Sequence, residues 1–146
     1  PDTSIVVVSA YDDWSHVSDF IKEDSRGKAY LLKNSLDDVS ELIRVVELVN
    51  QKYLVLDHAL VAKLEEYHAR HSDLDTAQLD SQDVSVLSLL AQGYLALDIS
   101  SKMQMDESDV RETLGFAYKK LDVSASDDVD VQVQATLKFF TLSVSG

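Results

Sequence analysis

The chain has 146 residues, 45% of them hydrophobic, with one Trp, six Tyr and four Phe, which suits one ordinary packed domain or two small ones. The absence of Cys excludes disulfides and thiolate chemistry and permits a reducing cytoplasm, the expected location. A net charge of −13 repels nucleic acid and anionic membranes at long range, so DNA binding here must rest on a local feature.

No run of about 18 apolar residues is present, so no membrane span is expected. No basic stretch followed by a long apolar run marks a signal peptide. The start at Pro1-Asp2, without Met, is what a fragment would show.

"SIVVVSAY" opens with Ile5 to Val8, an apolar β-branched run that predicts a strand buried on both faces, as in a parallel sheet. A short helix over Trp14 to Lys22 follows, packing Val17, Phe20 and Ile21. "EDSRGK" carries turn signals, and "AYLLK", 29–33, predicts a second strand. Ser35 and Asp38 form a weak capping box for a helix over 35–49 with Val39, Leu42, Ile43, Val46 and Val49 at helical spacing. Two parallel strands and two helices in about 50 residues cannot bury both faces of a sheet. Either an N-terminal portion is missing or the piece pairs with another chain.

After "NQKYLVL", Asp57 can cap a helix presenting Leu60, Val61, Leu64 and Tyr67, and the polar stretch 70–81 reads as a linker. From Gln82 the chain reads as helical over 82–92, ending at Gly93, then 96–103, 107–121 and 127–143. The expected divisions are 1–52, an α/β piece; 53–81, linker helix and linker; and 82–146, an all-α domain.

"VLSLLAQGYLALDISSKMQMDESDVRETLGFAYKKLDV", 86–123, resembles the helix-turn-helix domain of LuxR/NarL-family transcription regulators. Leu87, Leu90, Ala91, Gln92, Gly93, Ile99, Met103, Ser108, Val110, Lys120, Leu121 and Val123 carry the match. "VVVSAY" and "AYLLKN" resemble the fourth and fifth strands of a NarL-type receiver domain, and 35–49 its last helix. The fold so implied is α/β then all-α: a partial doubly wound receiver (strand-helix-strand-helix) followed by a four-helix LuxR-type helix-turn-helix domain. On that resemblance Ser9, Tyr30 and Lys33 form the phosphorylation switch: a hydroxyl donor, a switching aromatic and a phosphate-pairing lysine. The phosphoacceptor and the acidic pair for a divalent metal such as Mg belong to earlier strands of an intact receiver, so no cofactor is expected in this chain.

The resemblance makes 107–121 a DNA-reading helix. Val110, Leu114, Ala117 and Leu121 form its inward stripe, which turns Ser108, Glu112, Gly115, Phe116 and Lys119 outward. Arg111 and Tyr118 flank one edge, Thr113 and Lys120 the other. Lys102, Arg111, Lys119 and Lys120 are the candidate phosphate contacts, with Ser108, Glu112 and Thr113 toward the bases. The family often has a basic residue where Gly115 stands and a neutral one at Glu112, and this chain departs at both. The alternative is therefore a degenerate regulator acting as a protein-interaction or anti-regulator module.

The last helix carries two apolar stripes. One is Val129, Val133, Leu137, Phe140 and Val144, for its own core. The other is Val131, Ala135, Phe139 and Leu142, for a homodimer matched to two half-sites of a palindrome. His68 and His71 with Glu65 have possible ligand spacing, but histidine on a polar helix end is far commoner, so no metal is expected. No phosphate loop, nucleophile elbow or Cys/His framework suggests an enzyme. The implied partners are double-stranded DNA, a second copy and, for the intact protein, a sensor kinase.

Overall fold

The computed structural model describes residues 4–10, 14–22, 25–33, 38–70, 79–125 and 127–145. Strands β1 (Ile5–Ser9), β2 (Lys28–Leu32) and β3 (Leu54–Leu56) form a parallel sheet in the order β1-β2-β3. Ser9 pairs with Leu32, and Tyr30 lies between Val7 and Leu56. The sequence alone puts residue 53 onward in a linker, yet β3 forms there. Three apolar residues are too short a run to show a period, and only the edge of β2 makes them a strand.

Side-chain alternation sends β2 and β3 residues to two faces. Ala29, Leu31 and Val55 pack with Val45 and Val49 of helix α2 (Val39–Asn50). Tyr30, Leu54 and Leu56 face the other way, where Val17 and Ile21 of α1 (Trp14–Lys22) join them. Asp38 caps α2, accepting from the Ser40 backbone N–H at 3.0 Å, while Ser35 lies outside the described residues.

Asp57 begins α3 (His58–Arg70) as its position suggests, and does more. One carboxylate oxygen accepts from the Ala59 N–H at 2.8 Å and the other from the Leu32 N–H at 2.9 Å, tying the helix start to the end of β2. Helices α4 (Ser81–Ala91), α5 (Ala96–Met103), α6 (Glu107–Lys120) and α7 (Asp128–Ser145) complete the chain. They lie within a residue or two of the sequence expectation, because their 3.6-residue periods are unbroken.

The helical half shares the sheet's core. Leu56, Leu60, Leu87, Ile99, Val110 and Phe139 belong to the same buried cluster as Val17 and Tyr30. Gly93, past the end of α4, has φ +91, and a Cβ there would approach Leu48 Cδ1 of α2 to 2.6 Å. The helices of the second half thus cover the sheet face that about 50 residues cannot cover alone. Ile5 and Val8 of β1 and Val39, Ile43 and Val46 of α2 stay exposed.

Candidate nucleic-acid interface

Helix α6 begins after Asp106, follows a left-handed turn at Gln104 (φ 56) and ends with Lys119 and Lys120 in its last turn. Val110, Leu114, Ala117 and Leu121 are all buried. Their 4, 3, 4 spacing fixes the helix rotation, so Ser108, Arg111, Glu112, Lys119 and Lys120 are exposed and Phe116 is 52% exposed. Thr113 and Gly115 are half-buried, and a Cβ on Gly115 would meet nothing within 4 Å. The flank opposite the core is open to solvent.

Its cations already have partners. Arg111 donates to Glu107 Oε2 from Nε at 2.9 Å and from Nη2 at 2.6 Å. Lys119 lies over the Phe116 ring at 5.8 Å, and Lys102 over Tyr94 at 4.3 Å. Lys120 donates to buried Asp83 Oδ2 at 2.5 Å. Asp83 also exchanges hydrogen bonds with Asp80 at the start of α4, so this ion pair ties the end of α6 to that cap. Exposed pairs such as Arg111–Glu107 are cheap to exchange for phosphate, whereas removing Lys120 would strand a buried carboxylate.

The terminal helix corrects one expectation. Ala135 and Phe139, placed by sequence on a stripe facing a second copy, are fully buried in their own chain, while Val131 and Leu142 are half-buried. Phe139 stacks on His68 of α3, rings 4.9 Å apart and 4° from parallel. His68 is therefore a buried aromatic partner and not the surface histidine the sequence suggests. His71 lies outside the described residues, and no metal-binding cluster occurs among those described.

Gln132 of α7 is buried and spans three elements. Its Oε1 accepts from the Leu54 N–H at 3.0 Å, and its Nε2 donates to the Leu54 carbonyl at 2.7 Å and the Leu90 carbonyl at 2.9 Å. Arg44 of α2 makes a second bridge, donating to the Gln92 carbonyl at 3.1 Å with its guanidinium 4.2 Å from the centre of the Tyr94 ring. Neither residue stands out in the sequence, since their partners lie 42 to 78 positions away.

At the sheet, Ser9 ends β1 and the exposed Lys33 directly follows β2, on adjacent parallel strands at the same end. Tyr30 is instead buried, its ring 5.9 Å from that of Phe20. Ser9 and Lys33 thus lie at the same end of two adjacent strands, and buried Tyr30 is three residues before Lys33.

A parallel strand-helix-strand unit joined to a helical half, with one flank of α6 facing outward, is the arrangement that the resemblance to LuxR/NarL-type response regulators implies. Sequence comparison points the same way. The chain is 26% identical over 137 residues to the oxygen regulatory protein NreC of Staphylococcus epidermidis, covering 88% of this chain and 61% of that relative. The NreC proteins of Staphylococcus haemolyticus and Staphylococcus carnosus are 24% and 23% identical over 136 residues, with the same coverage. The chain thus spans about three fifths of the length of these curated relatives. No family model matches it. Among the described residues no helix is long and apolar enough to cross a membrane.

Proposed function

We propose that the chain is the C-terminal part of a cytoplasmic response-regulator transcription factor that reads double-stranded DNA through the outward flank of α6. The supporting observation is the burial of Val110, Leu114, Ala117 and Leu121 beside an exposed row of Ser108, Arg111, Glu112, Phe116 and Lys119. Lys102, Arg111 and Lys119 meet phosphates by exchanging weak local partners, and Thr113 and Lys120 border the groove. Glu112 accepts from a cytosine amino group.

In the intact receiver a sensor kinase phosphorylates an aspartate on an earlier strand, with a divalent metal such as Mg held there. Ser9, Lys33 and Tyr30 answer that charge. A palindromic site calls for a homodimer, for which the half-buried Val131 and Leu142 of α7 remain accessible. In this reading phosphorylation of the intact receiver shifts an equilibrium between a closed form and one that frees the reading helix.

The test is selection of duplexes from a random pool by the intact protein, then affinity against salt. A palindromic consensus with affinity falling steeply from 50 to 200 mM salt is expected. Glu112→Lys should tighten binding several-fold by removing one repulsion and adding one phosphate contact. Weak, sequence-indifferent binding that Glu112→Lys does not change would favour the protein-contact module, for which exposed Phe116 is the natural anchor.

A further inference from the structure

Between α5, α6 and α7 lies a cavity of about 320 Å³, within the usual range for small-molecule sites of roughly 300–1,000 Å³. Leu90, Leu95, Leu114 and Val131 supply apolar walls, and exposed Leu97 stands at the rim. Tyr53, Tyr118 and Asp128 supply the polar side.

Neither the Tyr53 nor the Tyr118 hydroxyl has a hydrogen-bond partner among the described residues, and no ion pair there engages Asp128. Burial, reinforced by Asp128 and opposed by Arg111, pushes the Tyr118 phenol up to about 12, and burial with Asp128 and Asp127 raises Tyr53, so both hydroxyls keep their protons at neutral pH. Arg111 also lines the cavity, but Glu107 neutralises it. Of the two charged side chains that line the cavity, Arg111 is paired with Glu107, and Asp128 has no ion-pair partner among the described residues. Two tyrosine rings beside a carboxylate, with leucines behind, suit a cation carrying an apolar body.

We propose that this cavity binds a small organic ammonium ion with an aromatic or branched aliphatic body, its head against Asp128 between the Tyr53 and Tyr118 hydroxyls. Its walls belong to the reading helix and the terminal helix, so occupancy braces α6 against α7. The proposal does not depend on DNA binding.

The experiment is to titrate phenethylammonium, phenylacetate and phenethyl alcohol separately into the isotope-labelled chain, following backbone amide resonances. Phenethylammonium should move the amides of Leu97, Tyr118 and Val131, and phenylacetate should bind at least about ten-fold more weakly because Asp128 repels it. Asp128→Asn should cost the ammonium probe about five-fold or more, and Tyr118→Phe about two-fold or more. Equal affinity for the three probes, shifts confined to other surfaces, or unchanged affinity in Asp128→Asn would overturn the proposal. Should Asp128→Asn disturb the fold, Tyr118→Phe decides alone: a loss sustains the site and an unchanged affinity removes it.

Discussion

Gly115 leaves the centre of the outward flank of α6 without a side chain, in a helix interior where glycine costs about 0.5–1 kcal/mol relative to alanine. Because a Cβ there meets only open space, Gly115→Ala should raise stability by about that amount, read as a higher urea midpoint with unchanged slope. A lower midpoint would mean that position 115 is packed against something. The inward stripe of α6 was legible in the sequence because periodicity alone sets helix rotation. The engagement of Lys120 was not, since its partner Asp83 lies 37 positions earlier and looks like an ordinary first-turn acid. A list of basic residues on a helix therefore overstates the charge ready for phosphate.

Among elements, α7 departs furthest from what its own sequence says. Two opposed apolar stripes imply one inward and one outward face, but α7 packs against α3, α4 and β3 together, and Ala135 and Phe139 are buried. Gln132 fastens that packing. Gln132→Leu would leave the Leu54 N–H and carbonyl without their partner, at about 1–3 kcal/mol for each buried group left unsatisfied, while the Leu90 carbonyl still accepts from the Gly93 N–H. Amide exchange in β3 and α7 should quicken in this variant while α5 and α6 keep their protection. Uniform quickening across all helices would instead show that Gln132 supports the whole core and is no separate fastening. Most helix limits could be read from period and caps. The strand β3 could not, because its identity comes from the neighbouring edge and from Gln132, both distant in the chain.

At the scale of the molecule, the sheet and the helical half share one core, which the sequence, with its polar stretch at 70–81, suggests as two separate pieces. Heat should therefore unfold residues 1–146 in one transition, with near- and far-ultraviolet circular dichroism coincident. Two separated transitions would show that the halves only touch. The arrangement leaves one flank of α6 open to solvent and buries Ala135 and Phe139 of α7. Whatever contact DNA makes, it must overcome a net charge of −13 through a small exposed area. The most direct measurement is an amide-resonance footprint of a selected duplex on the labelled chain. The account predicts perturbation centred on Ser108, Arg111, Glu112, Gly115, Phe116 and Lys119. Perturbation centred on α2, or none at physiological salt, would contradict it.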